Sequence, residues 1–308
     1  MYPIVLFTYN RLEHAKQVVD SLLANALAKE SKLYICSDGA RNEEDRPKVE
    51  ACRAYFKTIT GFKEVEVVEL AENHNVKRAV KVMGDMLSDK YEAWIAIEDD
   101  ALAHPLFLQF MHDALAYYKD NDKVLLINAY AHERAFRKAL IKKKYPYDVI
   151  FGVAFHCFGW GIWSDKWKAI DFHMPEQDYF KGLGSTFSIF NRSWGHLMSH
   201  KVASKPSSEL WDIHTTYYML KHDKVALWPV RGYIRNIGFD GTGLHGYDFA
   251  DSVFGEEVNP KERITFTDDL ALSRKYDFAI YSQVAIKWVG AFVGNFFTIL
   301  FRRKKKRS

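Results

Sequence analysis

The chain has 308 residues, 48% hydrophobic and 27% charged, which is the balance of a soluble globular protein with a full core. This composition excludes disordered, collagen-like and disulfide-scaffold proteins. The net charge of +4 comes from the end of the chain, where the last seven residues hold six basic groups and no acid. Without those six, 37 of the 43 basic groups remain against 39 acidic ones, so the rest of the chain is slightly acidic. This charge balance does not predict nucleic-acid binding.

The cysteines and the N-terminal residues indicate the cellular compartment of the protein. Three cysteines, Cys36, Cys52 and Cys157, have neither zinc-site spacing nor an even count, so we expect reduced thiols. The N-terminal residues lack the basic region and long apolar run of a secretion signal. No stretch reaches the roughly 18 apolar residues of a secure transmembrane helix. These features predict a cytoplasmic protein.

Short apolar runs alternate with helical patterns through the first 130 residues. Five strands are predicted, at residues 3–8, 32–37, 64–70, 93–97 and 124–128. Four helices are predicted between and after them, at residues 12–25, 43–57, 77–87 and 106–118. This alternation is typical of an α/β fold with a mostly parallel central sheet flanked by helices. Beyond residue 130 periodicity weakens, which predicts a second lobe rich in Trp, Gly and His.

The end of the chain has a pattern of its own. Residues 288–301 are almost all apolar, and RRKKKR follows them. Fourteen helical residues span roughly 21 Å, less than the roughly 30 Å hydrocarbon core of a bilayer. We therefore expect an interfacial helix whose basic end is attracted to anionic lipid. A helix packed on the body, with a solvated basic tail, is the alternative.

Polar segments directly follow three of the predicted strands, at residues 8–11 (TYNR), 38–41 (DGAR) and 98–100 (EDD). In α/β sheets ligands bind at the carboxyl ends of strands, so we expect these segments at one edge. Three consecutive acids are electrostatically costly, and a hard cation such as Mg²⁺ or Mn²⁺, held together with substrate phosphates, offsets that cost. A solvated loop before the next helix is the alternative for the acids.

Single residues in these segments allow two interpretations each. Asp38 is suited to accept hydrogen bonds from a ribose or base, but an Asp-Gly turn has the same pattern. Arg11 can bind a pyrophosphate, or, with Asn10, cap the following helix. Arg78 can bind phosphate or be ordinary surface charge.

Aromatic and glycine residues mark the second lobe. In FGWGIW, at residues 158–163, indole rings can stack on a sugar while glycines let the backbone approach it. A core aromatic cluster with turn glycines is the alternative. Residues 236–245 form a segment of small and polar residues that ends in His245. His245 is a candidate ligand for a metal or a phosphate, and a structural histidine is the alternative. No P-loop, GxGxxG or GxSxG motif is present.

Taken in order, PIVLFTYNR, ICSDGAR, ELAENHNVKRAV and IAIEDDALAHP resemble the nucleotide-binding half of GT-A-fold glycosyltransferases, as seen in family 2. The EDD triplet, FGWGIW and the later Trp-Asp pair are similar to the N-acetylglucosaminyltransferase I family. The resemblance covers roughly residues 2–248. It implies a nucleotide-diphospho-sugar transferase fold in which residues 1–130 bind the nucleotide sugar and residues 131–265 form the acceptor and catalytic half. Residues 266–308 would be a membrane-associating tail.

The resemblance also implies a role for each matching position. The residues implied to bind the donor nucleotide are Thr8, Asn10, Arg11, Asp38, Arg78, Glu98 and Asp99. Those implied to bind the acceptor or a sugar are Trp160, Gly161, Trp163 and Trp211. Asp100 would bind Mn²⁺ or Mg²⁺, with His245 as a second candidate ligand. Asp212 would be the catalytic base, with Glu209 as the alternative because Ile213 stands where relatives have a second Asp.

The implied activity is metal-dependent, inverting transfer of a sugar from a nucleotide sugar, in the first place a UDP-sugar. The acceptor would be a glycan or a lipid-linked glycan of surface polysaccharide synthesis, at the inner face of the cell membrane. A sugar-nucleotidyltransferase is one alternative, but residues 8–12 lack the Gly-rich loop that it needs. A non-catalytic glycan-binding or membrane scaffold protein is the other.

Overall fold

The computed structural model describes residues 1–131, 144–153, 155–172, 212–238, 240 and 261–271. Its strands are β1 (Ile4–Thr8), β2 (Lys32–Ser37), β3 (Glu64–Glu69), β4 (Ala93–Glu98), β5 (Ala101–Ala103), β6 (Val124–Asn128), β7 (Val149–Gly152), β8 (Gly159–Trp163), β9 (Val225–Pro229) and β10 (Ile234–Asn236). Its α-helices are α1 (Leu12–Leu23), α2 (Arg46–Phe56), α3 (Asn75–Lys90), α4 (Phe107–Tyr117), α5 (Ser164–Lys168) and α6 (Asp212–Lys221).

Eight of these strands form one twisted sheet, in the order β3-β2-β1-β4-β8-β6-β9-β7. The first four are mutually parallel, and β6 is parallel to β9. Strand β8 runs antiparallel to both of its neighbours, and β7 runs antiparallel to β9. The fold is therefore α/β with a mixed sheet, in which six of the eight strands run in one direction and β7 and β8 run in the other. Strands from residues 1–130 and from residues 131–265 share this sheet.

The helices cover the sheet because each has an apolar face at helical spacing. On α1 this face consists of Ala15, Val18, Val19 and Leu22, all buried. The apolar side of α4 is wider and is likewise buried. The central strands β1, β4, β6 and β8 are buried along their whole length, apart from a half-buried Glu98 at the end of β4. Burial on both faces explains why these strands are apolar runs that do not alternate.

The elements predicted for the first 130 residues are present, with ends that differ by at most three residues. The strand β5 was not predicted, because three residues are too few for a periodic signal. Strand β5 pairs antiparallel with β10 in a small second sheet, which sets Asn236 opposite Ala101. This pairing brings residues from near position 236 alongside the acidic triplet.

The last described segment packs on the body of the protein. Phe266 contacts the rings of Tyr117 and Tyr118, and the hydroxyl of Tyr118 donates a hydrogen bond to the carbonyl of Thr267, at 2.8 Å. Among the helices that the structure describes, none is long and apolar enough to cross a membrane. The apolar run at residues 288–301 and its basic end lie outside the described residues.

Candidate active site

The three polar segments after β1, β2 and β4 meet at one edge of the sheet. Thr8 pairs in register with Ser37, and Phe7 pairs with Glu98, so the strands end side by side. Strand β8 begins at this edge because its first residue, Gly159, lies opposite Ile97. The edge therefore also receives the segment that precedes β8.

An ion-pair cluster joins the end of β1 to the acidic triplet. The Nη2 atom of Arg11 donates to Oδ1 of Asp99 and, at 2.8 Å, to Oδ2 of Asp100. Asp99 also accepts a backbone hydrogen bond from Tyr9, at 3.4 Å. All three charged side chains are largely buried, with exposures of 19%, 6% and 14% for Arg11, Asp99 and Asp100. Water screens the cluster weakly for this reason.

Asp38 holds two loops together at the same edge. Its carboxylate accepts hydrogen bonds from the backbone N–H of Gly39 at 2.9 Å, the backbone N–H of His74 at 2.8 Å and the side-chain amide of Asn73 at 3.1 Å. A Cβ on Gly39 would overlap the backbone of Glu72, so only glycine allows the two loops to approach this closely.

A second carboxylate fixes the segment after β1. Asp45 accepts hydrogen bonds from the hydroxyl of Tyr9 at 2.7 Å and from the side-chain amide of Asn10 at 2.8 Å. The Tyr9 hydroxyl in turn accepts the backbone N–H of Arg41 at 2.9 Å. The loops after β1 and β2 are thereby tied to each other before any ligand arrives.

Residues near position 236 enclose Asp100 from the other side. The side-chain amide of Asn236 donates to Oδ1 of Asp100 at 3.3 Å, and the N–H of Ile237 donates to the Asp100 carbonyl at 2.8 Å. A Cβ on Gly238 would lie 2.7 Å from Cγ of Asp100, which is closer than atoms pack. Farther along, Asp240 lies 3.1 Å from Nε2 of His14 on α1.

The carboxylates of Glu98 and Asp212 lie near the thiol of Cys157 at this edge. The Cys157 thiol lowers the pKa of Glu98 and so opposes part of the effect of its burial. Burial raises the pKa of Cys157 well above its usual value, and the charges of Glu98, Asp212 and Asp100 raise it further. These three carboxylates therefore lie within electrostatic reach of the same thiol. Asp212 is the first residue of α6, where a helix N-terminus favours negative charge.

Burial and mutual repulsion shape the acids of the triplet. Burial, followed by the charge of Asp100, raises the pKa of Glu98 to about 8. Burial also raises the pKa of Asp99, although the ion pair with Arg11 opposes this shift. Asp99 and Asp100 share the single positive charge of Arg11, so this edge favours a cationic ligand.

The aromatic residues of β8 are buried in the core, whereas the sugar-binding interpretation needs exposed rings. Trp160 and Trp163 are each only 2% exposed. The Trp160 ring packs against Trp94 and Trp167, with ring centroids at 4.8 and 6.1 Å. Gly161 lies in mid-strand, where a Cβ would contact the side chain of Met111. These three residues are core residues, because β8 is flanked by strands on both sides.

Other predicted site residues have different surroundings. The hydroxyl of Thr8 donates to the Cys36 carbonyl at 3.0 Å, within the sheet. Arg78 is exposed on the first turn of α3. Glu209, Trp211 and His245 lie outside the described residues.

The carboxylate oxygens at this edge suit a hard divalent cation that takes its remaining ligands from a substrate. In the described part of the chain, no three His, Cys, Asp or Glu side chains converge as a complete metal cage. Mg²⁺ and Mn²⁺, however, are commonly held by one or two carboxylates together with substrate phosphates. Asp99 and Asp100, which share one guanidinium, supply that number of carboxylates. The residues fit a cation that arrives with a phosphorylated ligand.

A shallow depression of about 580 Å³ lies at the opposite edge, where β1 and β4 begin. Tyr2, Tyr91 and His112 line it, with none of the acidic triplet among its lining residues. The chemistry-bearing residues and this depression are therefore separate features.

Several residues at the edge were not predicted to belong to the site. They are Tyr9, Asp45, Asn73, His74 and Cys157. Asn236 and Gly238 belong to the segment at residues 236–245 that the sequence analysis singles out, although neither residue has an individual role there. Tyr9 and Asn73 lie inside the motifs that carry the family resemblance, and this was a usable signal. Cys157 had none, because a lone cysteine before FGWGIW has no diagnostic spacing.

No protein-family model matches this chain, and no curated protein matches it. Solved structures similar to it include a mannosyltransferase from Pyrobaculum calidifontis in complex with GDP-Man and Mn²⁺, with 14% identity and a TM-score of 0.37 over 52% of this chain. TarS of S. aureus, residues 1–349, has 13% identity and a TM-score of 0.37 over 61% of this chain. This chain spans only about half of the length of each of these two proteins, namely 44% and 52%.

Mouse xyloside xylosyltransferase 1, in its apo form, is a third similar structure. It has 8% identity and a TM-score of 0.40 over 72% of this chain and 83% of the mouse chain. Likeness at this level assigns neither a fold family nor an activity.

Proposed function

We propose that the protein is a GT-A-type, metal-dependent, inverting glycosyltransferase that uses a nucleotide sugar. One observation carries the proposal. The segments after β1, β2 and β4, together with Asn236, converge on a buried cluster of Arg11, Asp99 and Asp100 at the carboxyl edge. In an α/β sheet, that edge is where ligands bind. The excess of negative charge there suits a cation accompanied by a diphosphate.

Asp38 is the proposed contact for the ribose or base of the donor. A carboxylate offers about four acceptor positions, and Asp38 uses three of them on Gly39, Asn73 and His74. One acceptor position remains for a ligand hydroxyl or N–H. The same three hydrogen bonds hold the carboxylate in place, so binding a donor would order little additional chain.

Asp212 is the proposed general base, with Glu209 as the alternative. Its carboxylate would accept the proton of the acceptor hydroxyl as that oxygen attacks the anomeric carbon of the donor sugar. A single displacement of this kind inverts the configuration at that carbon. Asp212 is the first residue of α6, and its charge adds to those of Glu98 and Asp100 around the Cys157 thiol.

Asp100 and Asp99 are the proposed ligands of Mn²⁺ or Mg²⁺, with His245 as a further candidate. When bound, such a cation offsets the negative charge that develops on the leaving nucleoside diphosphate. Asn236 and Gly238 hold the Asp100 carboxylate in one orientation, by a hydrogen bond and by close contact.

The family resemblance supports a UDP-sugar as donor and a glycan or lipid-linked glycan as acceptor. The apolar run at 288–301 and the RRKKKR end support a peripheral position at the anionic inner face of the membrane. Surface polysaccharide synthesis combines such a donor, acceptor and location.

A donor screen tests the proposal without knowledge of the acceptor. The full chain is incubated with Mn²⁺ and a panel of UDP- and GDP-sugars, and released nucleoside diphosphate is measured as slow donor hydrolysis. We expect release from one donor class, lost in EDTA and reduced at least about 100-fold by Asp100→Ala. Asp212→Asn should retain binding of the donor, since it removes only the base.

Asp89→Asn is the matched control, because Asp89 is an exposed acid at the far end of α3 that pairs with Lys168. This control should retain full release. Folding of each variant is checked by thermal unfolding. Release that persists in Asp100→Ala, or in excess EDTA, would contradict the metal role of Asp100. No release from any donor by the wild type would favour a glycan-binding or scaffold protein.

A further inference from the structure

Arg11 makes an incomplete set of hydrogen bonds in a buried position. Its Nη2 atom serves both Asp99 and Asp100. Its other terminal nitrogen, Nη1, is buried and has no hydrogen-bond partner among the described residues. A guanidinium offers five N–H donors in a planar fork, which matches a carboxylate or phosphate with two parallel bonds. Here one end of that fork is unused.

The two acids do not depend on Arg11 alone. Asp99 also accepts the backbone N–H of Tyr9, and Asp100 also accepts the side-chain amide of Asn236. Each carboxylate would keep a neutral donor if the guanidinium left, so its position would be retained. Its charge would not be balanced, however, because these remaining donors are uncharged. A departing Arg11 must therefore be replaced by another cation.

We propose that Arg11 is a built-in counter-ion that exchanges during donor binding. In the free protein its guanidinium pairs with both Asp99 and Asp100 and offsets one of their two charges. When a divalent cation and a nucleoside diphosphate bind, the guanidinium leaves Asp100 and donates through both terminal nitrogens to a phosphate. The inference rests on the proposed function and goes beyond it, since it assigns Arg11 a different partner in each state.

The exchange has a thermodynamic consequence. A divalent cation alone must displace Arg11 without offering it a new acceptor, so the cation should bind weakly by itself. A diphosphate accepts the displaced guanidinium and satisfies Nη1, which is costly to leave unpaired. The cation and the nucleotide should therefore bind cooperatively, and the coupling should be reciprocal.

Calorimetric titration of the full chain with Mn²⁺, with and without saturating UDP, tests the exchange. For the wild type we expect UDP to tighten Mn²⁺ binding at least tenfold. For Arg11→Gln we expect Mn²⁺ alone to bind at least fivefold tighter than to the wild type, and the enhancement by UDP to shrink by a similar factor. Loss of an adjacent positive charge would by itself tighten the binding of Mn²⁺ alone. The diagnostic result is therefore the smaller enhancement by UDP, which follows only if Arg11 moves to a phosphate.

Arg46→Gln is the control for loss of one positive charge, since Arg46 is exposed and pairs with Glu43. It should leave both titrations unchanged. Arg11→Lys covers the case in which Arg11→Gln does not fold. Lysine keeps the charge but lacks the fork, so Mn²⁺ alone should bind as in the wild type, with a smaller enhancement by UDP.

Two results would overturn the exchange. If the wild type binds Mn²⁺ cooperatively with UDP and the Arg11 variants do the same, the exchange is wrong and the proposed function stands. If the wild type binds no Mn²⁺ even with UDP, both the exchange and the metal part of the proposed function are wrong. The donor screen, which does not involve Arg11 variants, then decides whether transferase activity remains.

Discussion

At the scale of single residues, Asp100 is enclosed by three neighbours of different kinds. Arg11 offers a charge, Asn236 a neutral donor and Gly238 only the space that its missing side chain leaves. The sequence predicts that Arg11 and the acids lie at one edge, because each follows a strand. It does not predict that they pair with each other, because 88 and 89 residues separate Arg11 from the two acids. Strand order, which local patterns do not encode, decides that contact.

Gly238→Ala should displace the Asp100 carboxylate, since the added Cβ would lie 2.7 Å from its Cγ. The three atoms nearest to this Cβ all belong to the Asp100 side chain, so we expect a small change in thermal stability. Mn²⁺-dependent release of nucleoside diphosphate should fall by about tenfold or more, because catalytic electrostatics are sensitive to the position of a charge. The release assay and thermal unfolding are measured on the same sample. Unchanged release would show that the position of this carboxylate does not matter.

At the scale of elements, β8 is where sequence reasoning fails most clearly. Two glycines and two tryptophans in GWGIW give no strand signal, since glycine is depleted in strands and the segment does not alternate. The glycines are there for packing. A Cβ on Gly159 would contact the side chain of Ile234, and one on Gly161 would contact Met111. The same composition fits a sugar-binding loop, which explains why the sequence left both interpretations open for Trp160 and Trp163, and their burial favours the core.

Trp160→Ala and Trp160→Phe distinguish the core role from a sugar-binding one. Removal of a buried indole should cost about 3–5 kcal/mol in the free energy of unfolding, and phenylalanine should recover part of this. At a temperature where Trp160→Phe is fully folded, its release of nucleoside diphosphate and its KM for the donor should match the wild type. Normal stability combined with a large rise in the KM for donor or acceptor would restore the sugar-binding interpretation.

At the scale of the whole molecule, the sequence predicts the α/β class and the shared edge but not the complete sheet. Apolar runs and helical spacing locate nine elements of the first 130 residues, because burial on both faces produces simple patterns. The antiparallel entry of β8 between β4 and β6 depends on long-range packing. That entry also brings Cys157 to the edge, so the thiol beside Glu98 was missed for the same reason.

Deletion of residues 285–308 tests the proposed membrane association of the whole chain. The deleted segment contains the apolar run and the basic end, and each basic residue near an anionic surface contributes about 1 kcal/mol of attraction. We expect the full chain to sediment with vesicles that contain anionic lipid, and the deletion variant to stay in the supernatant while still releasing nucleoside diphosphate. Equal sedimentation of the two proteins would contradict the proposal.

We propose that the acidic edge beside β4 holds a divalent cation together with a nucleoside diphosphate. Anomalous diffraction at the manganese edge, from crystals of the full chain grown with Mn²⁺ and UDP, tests this most directly. We expect one strong peak within coordination distance of Asp100, with diphosphate density beside it and the Arg11 guanidinium turned toward a phosphate. UDP bound at a different place, or an edge without a peak in which Arg11 still pairs with both acids, would contradict it.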